Sequence, residues 1–259
     1  MHVLLLAGTA EARELAGLLA DHPRLQATAS LAGRVRRAAD LPVTVRTGGF
    51  GGIDGLAAWL REQAVGAVVD ATHPFAAGIS ANAAAAARAA DIPLAALVRP
   101  AWEPRPGDDW RPVADLDAAV AALRPLGERV LVTTGRNELA PFEAAPEKDY
   151  VIRTIDPPEP PPALPRARYI QARGPFDAAS EAALMAEHDI QALVTKASGG
   201  EATRGKLDAA RERGIPVVMV ERPPLPAGVH RHCTTPGEAL AWLEGLAAGH
   251  DSPSCQRGV

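Results

Sequence analysis

The sequence predicts an α/β protein built as two parallel-sheet halves, and three observations carry that expectation. Short aliphatic or β-branched runs alternate with alanine-rich stretches of helical length, the pattern of successive βαβ units. The composition, 23 Gly and 24 Pro with 4% aromatic residues, supplies many turns between small-residue helices and aliphatic strands. The chain also repeats itself. Ala86-Ala87-Arg88, Ile92-Pro93 and Arg99-Pro100 return at the same spacing as Ala209-Ala210-Arg211, Ile215-Pro216 and Arg222-Pro223, and VLLLAGTAE from Val3 to Glu11 is echoed by VLVTTGRNE from Val130 to Glu138. Two segments that match in the same order point to internal duplication, hence to two Rossmann-like halves with an active-site cleft between them.

In chain order, Val3 to Leu6, Gln26 to Leu31, Val43 to Arg46, Ala67 to Ala71 and Leu94 to Val98 read as the strands of the first half, with helices between them. A second series follows at Val130 to Thr133, Tyr150 to Ile155, Arg168 to Ala172, Ala192 to Thr195 and Val217 to Val220, closed by a helix from Pro236 to Leu246. The expected domains are 1–110 for a nucleotide and 111–248 for a substrate, followed by a disordered tail at 249–259. The boundary falls within Trp102 to Pro112 or at the turn from Pro125 to Gly127, and the halves have scope to exchange terminal strands. Pro157 to Pro165 reads as an extended surface segment.

A formal charge of −4 argues against a nucleic-acid surface, so any anion site must be local. Two cysteines, Cys233 and Cys255, with no CxxC spacing, fit a reducing cytoplasm and exclude a disulfide framework. The apolar start is broken by Glu11, Arg13 and Glu14, and no later run reaches membrane-spanning length. No metal-ligand cluster is visible, and nothing specifies an oligomeric state.

The first strand runs into Gly8-Thr9-Ala10-Glu11, where a helix begins; backbone N–H groups at such a turn face a pyrophosphate. The full GxGxxG fingerprint is missing, with Ala10 and Arg13 near the places of the later glycines. At the end of the second strand an NAD enzyme carries an acidic residue for the ribose 2′-hydroxyl. This chain has Ser30-Leu31-Ala32-Gly33-Arg34 instead, a hydroxyl and a guanidinium suited to a 2′-phosphate, so NADPH is expected over NADH. The loop Asp70-Ala71-Thr72-His73-Pro74 follows another strand and belongs at the same crevice; Thr72, His73 and Pro74 are cofactor candidates, and His73 also a catalytic one.

Basic residues recur at strand ends: Arg99, Arg136, Arg153, Arg173, Lys196 and Arg222. As a set they suggest a polyanionic ligand held by charge-assisted hydrogen bonds. Lys196, Ser198, Gly199 and Gly200 together form a possible second anion cradle. Gly200 to Lys206 nearly spells a P-loop, but Leu207 stands where that motif needs a hydroxyl for magnesium. YxxxK, GxSxG and HExxH are absent.

GTAEAR, GGFGG before a helix carrying Leu56 and Trp59, DATHPFA, TTGRNEL and VTKASGG occur in this order from about Val3 to Leu246. Together they resemble the precorrin-6A reductase family, its cobalt-precorrin counterpart included. The resemblance implies reduction of one macrocycle double bond by hydride from a nicotinamide, on a tetrapyrrole bearing many carboxylates. Arg13, Arg136, Arg173, Lys196, Ser198, Gly199 and Gly200 are then substrate-binding candidates, with Lys196 the first candidate to deliver a proton and His73 the second. The same cationic cleft would serve a two-domain enzyme that rearranges a tetrapyrrole without a nucleotide, or a ligand-carrying protein of two lobes. Nicotinamide binding separates these from a reductase.

Overall fold

In the computed structural model, which describes residues 1–31 and 40–250, the chain forms two six-stranded sheets in which every strand pairing is parallel. The first series is β1 (His2–Leu6), α1 (Ala10–Ala20), β2 (Gln26–Leu31), β3 (Thr44–Thr47), α2 (Gly52–Glu62), β4 (Val65–Asp70), α3 (Ala77–Ala90) and β5 (Leu94–Leu97). The second is β6 (Trp110–Val113), α4 (Leu116–Leu123), β7 (Arg129–Val132), β8 (Asp149–Thr154), β9 (Ala167–Gln171), α5 (Ala178–Glu187), β10 (Ala192–Lys196), α6 (Gly205–Glu212) and β11 (Val217–Val220). β12 (Arg231–Cys233) and α7 (Pro236–His250) close the chain.

The sheet orders are β12-β5-β4-β1-β2-β3 and β6-β11-β10-β7-β8-β9. Matching β1 to β7, as the duplicated sequence does, makes the two orders identical, with one exchange. The strand that follows β5 in sequence, β6, pairs with β11; the strand that follows β11, β12, pairs with β5. The compact units are accordingly Met1–Arg99 with Pro223–Val259, and Pro100–Arg222. Both crossings fall within the repeated Arg-Pro dipeptides.

Residues 223–248 therefore belong to the first unit and not, as the 111–248 assignment had it, to the second, while 100–110 belongs to the second. The physical reason is burial. Ala239, Leu243 and Ala247 recur at helical spacing on α7 and pack with Leu15, Ala16 and Leu19 of α1 in one core. Gly249 and His250 are helical rather than tail, and the rest of that tail, 251–259, lies outside the described residues. The sequence pattern gives no sign of β6 or β12, since both are short edge strands, one interrupted by Pro112 and the other reading Arg231-His232-Cys233.

β1 runs through the middle of the first sheet. Val3 and Leu5 face α1 and α7, whereas Leu4 and Leu6 face α2 and α3, and all four are 0–2% exposed. A parallel strand covered on both faces reads as a continuous apolar run, which is why it was legible. Each such leucine contributes roughly 2 kcal/mol relative to exposure. In the second unit Leu131, Leu193, Val217 and Met219 form the corresponding core with Leu207, Ala209 and Ala210 of α6.

Candidate active site

In a doubly wound sheet a ligand sits beyond the carboxyl ends of the strands, at the point where the strand order reverses. In the first unit that point lies between β1 and β4, followed by the Gly8–Glu11 turn and the Asp70–Ala76 loop. Thr9 caps α1: its hydroxyl accepts from the Ala12 amide at 3.1 Å and donates to the Ala71 carbonyl at 2.9 Å, fastening the two loops together. Its Oγ is thus committed to the scaffold. The Ala10 and Glu11 amides belong to the group that a helix start leaves without an intrahelical acceptor. A Cβ at Gly8 would meet no atom within 4 Å, so the space above this turn is open to a ligand. Arg99 donates to Glu11 at 3.1 Å, neutralising the one carboxylate of the turn.

In the adjoining loop Asp70, 7% exposed, accepts from both the amide and the hydroxyl of Thr72, at 3.1 and 2.7 Å. His73 Nδ1 accepts from the Phe75 amide at 3.3 Å, which fixes the ring against the loop backbone, and Pro74 continues the turn. At the neighbouring strand ends Ser30 Oγ accepts from Arg46, the residue paired with it in register. Gly33 and Arg34, the other candidates for this corner, lie outside the described residues. Arg13, placed with the substrate by the sequence reading, is exposed on α1 and donates to the Asp40 carbonyl at 3.2 Å. The open glycine turn and the helix start are chemically suited to a dinucleotide diphosphate, and the Ser30–Arg46 corner to a ribose-linked phosphate.

In the second unit most of the strand-end cations are held by the protein itself. Lys196 Nζ donates to Glu138 at 2.7 Å, joining the end of β10 to the turn after β7. Arg136 lies 3.8 Å from Asp156 and donates to the Pro157 carbonyl. Arg153 is 8% exposed, ion-paired with Glu181 and stacked on Phe176 at 3.8 Å, so its contribution is to the core rather than to a ligand. Arg222 donates to the carbonyls of Ala197 and Pro100. Arg173 is exposed in the loop after β9.

The Ser198-Gly199-Gly200 turn has an internal function that the sequence concealed. A Cβ on Gly199 would lie 2.2 Å from the Pro100 carbonyl oxygen, and the Gly200 carbonyl accepts from the Trp102 indole at 2.9 Å. The turn therefore seats the segment by which the chain enters this unit. Ser198 is 9% exposed beside Lys196. Lys206 is buried, donates to the Thr203 carbonyl and lies 4.8 Å over Trp102, so it is spent on packing and not on a phosphate. Thr134 and Thr154, at the ends of β7 and β8, bury hydroxyls that no described residue hydrogen-bonds, a feature invisible without the fold.

A recess of about 550 Å³ lined by Met1, His2, Arg24, Ala64, Val65 and Gly66 lies at the opposite, amino-terminal ends of the strands, away from these residues. Among the described residues no three His, Cys, Asp or Glu side chains group as metal ligands, and no helix is long and apolar enough to cross a membrane.

The family described as precorrin-6x reductase CbiJ/CobK matches residues 2–244. A precorrin-6A reductase of Rhodococcus erythropolis is 52% identical over 93% of this chain and 96% of its own length. A cobalt-precorrin-6A reductase of Salmonella typhimurium is 31% identical over 87% and 89%. The solved structure of the CobK precorrin-6A reductase superposes with a TM-score of 0.88 at 42% identity, covering 95% of this chain and 97% of that one.

Proposed function

Since the chain belongs to the precorrin-6x reductase CbiJ/CobK family and reduces a double bond of precorrin-6A to a CH–CH bond in cobalamin biosynthesis, we propose that NADPH is its reductant, held by the first unit. When bound, the nicotinamide supplies the hydride. The open Gly8 turn at the α1 start is the observation that carries the assignment of the cofactor to this unit.

Ala10 and Glu11 present amides to the diphosphate, while Thr9 holds the turn to the β4 loop so that those amides keep their direction. Thr72, His73 and Pro74 line the other side, with Asp70 fixing Thr72. The preference for NADPH rests on the end of β2, where Ser30, and beyond the described residues Arg34, replace the carboxylate of an NAD enzyme. In the second unit Arg136, Arg173 and Lys196 with Ser198 are the ligands for the substrate's carboxylates. Lys196 delivers the proton in this reading, which is supported by the Glu138 ion pair that holds its ammonium. Catalysis then comes mainly from holding the reacting groups at attack distance and from excluding water. Two cysteines and no disulfide framework support a cytoplasmic setting.

Titration with NADPH and NADH, followed by a hydride-transfer assay with precorrin-6A, tests the assignment. NADPH should bind at least about tenfold tighter, the discrimination expected of one charge-assisted contact. Equal binding of the two nucleotides would remove the NADPH reading.

A further inference from the structure

Arg46, the residue before the last of β3, has an unusual setting for a cation. Its Nη1 donates to Ser30 Oγ at 3.0 Å and to the Gly48 carbonyl at 3.0 Å, and its Nη2 donates to the Gly49 carbonyl at 3.1 Å. The guanidinium carbon lies 3.7 Å from the Phe50 ring centroid and 5.7 Å from that of Trp59, and the two rings meet edge to face at 5.5 Å. Trp59 is in turn packed on the core between the sheet and α2. One face and one edge of the guanidinium are therefore fixed, by neutral groups throughout. No carboxylate pairs with it among the described residues, and burial lowers its pKa without an opposing charge to restore it.

An arginine carries five N–H donors, of which this geometry commits three. The remaining donors sit on a rigid cation beside a hydroxyl, at the carboxyl ends of β2 and β3, where Ser30 and Arg46 are register partners. That is the corner of a dinucleotide fold at which the adenosine ribose presents its 2′ position. A cation held only by neutral acceptors calls for an anion, and a planar fork beside a hydroxyl matches phosphate.

We propose that Arg46, positioned by Phe50 and sharing Ser30, recognises the 2′-phosphate of NADPH together with the end of β2 and so strengthens the nucleotide preference. This rests on the assignment of NADPH to the first unit. The rival explanation is that Arg46 merely organises the Gly48–Gly52 loop through its carbonyl contacts.

Calorimetric binding of 2′,5′-ADP and of 5′-AMP to the whole protein and to Arg46→Gln separates them, with a thermal melt to establish folding. The wild type should prefer 2′,5′-ADP, and Arg46→Gln should reduce that preference about thirtyfold, the loss of a charged pair of hydrogen bonds. Parallel weakening of both ligands would overturn the proposal in favour of loop organisation. A wild-type preference that survives in Arg46→Gln would overturn it while leaving NADPH as the reductant. A wild type without preference would overturn both. Should Arg46→Gln fail to fold, Arg46→Lys keeps the charge but loses the fork; it should lower the preference about threefold to tenfold, and an unchanged preference would again refute the assignment.

Discussion

The Arg99 guanidinium donates to the Glu11 carboxylate at 3.1 Å, joining the chain two residues beyond β5 to the first turn of α1. In the duplicated sequence Glu11 corresponds to Glu138, and that carboxylate too is met by a cation from a strand end, Lys196 at 2.7 Å. An acidic residue in a helix's first turn favours the helix dipole but repels a phosphate. Each unit retains the carboxylate and neutralises it, with a different cation in each case.

On the proposed assignment of the diphosphate to the α1 start, removing Arg99 would leave the Glu11 charge without this neutralising contact. Arg99→Ala should raise the NADPH dissociation constant about tenfold, and Glu11→Gln in the same chain should recover most of that loss, a non-additive cycle. Fluorescence titration of the four proteins is the measurement; additive effects would show that the pair does not act on the cofactor.

Lys196→Ala should lower kcat about a hundredfold with a smaller change in KM for the macrocycle, as expected when a positioned proton donor is lost. Glu138→Gln, which leaves the ammonium without its anchor, should lower kcat by less. If KM rises and kcat holds in Lys196→Ala, the lysine is a carboxylate ligand only.

Gly199→Ala should destabilise the second unit by about 2–4 kcal/mol, since its φ is +67° and the new Cβ would collide with the Pro100 carbonyl and Arg222. A fall in Tm of roughly 5–15 °C is the expected readout. Unchanged stability would mean that the segment entering this unit can move away at little cost.

Glu181→Ala should cost about 3–5 kcal/mol, because it strands the buried Arg153 charge. The double variant Glu181→Leu with Arg153→Met should be less destabilised than Glu181→Ala alone. Urea unfolding of the three proteins tests this, and a double variant worse than the single would contradict it.

Burial, with the nearby Glu147 charge in second place, pushes the Tyr150 hydroxyl up to about 12, while it donates to the Ala145 carbonyl at 3.0 Å. The folded state thus favours the neutral phenol more than the unfolded state, whose tyrosine titrates near ~10. The stability this provides is complete below about pH 10 and is lost as pH rises through the folded value. Tyr150→Phe should flatten the alkaline limb of a stability-against-pH curve while costing about 1–2 kcal/mol at neutral pH.

Much of the site was legible where chemistry depends on local order. The Gly8 turn and the DATHPFA loop are each read from consecutive residues, and both follow strand ends, of β1 and β4. What was not legible is who holds each charge. Arg153 and Arg136 read alike in sequence as strand-end cations, yet one is stacked in the core and the other lies near Asp156. Arg46 carried no signal beyond its place before GGFGG, because its setting among Ser30, Gly48, Gly49 and Phe50, with no carboxylate among the described residues, is made by the fold.

The sequence by itself determined two parallel-sheet halves of one repeated pattern, since strands covered on both faces, such as Val3–Leu6, must be continuously apolar whatever their partners. Only the tertiary structure decided that β6 and β12 change sheets and that α7 completes the first core. Edge strands of three or four residues bear no periodicity of their own, and their partner is chosen by long-range pairing and by where the Ala239–Leu243–Ala247 face finds apolar cover.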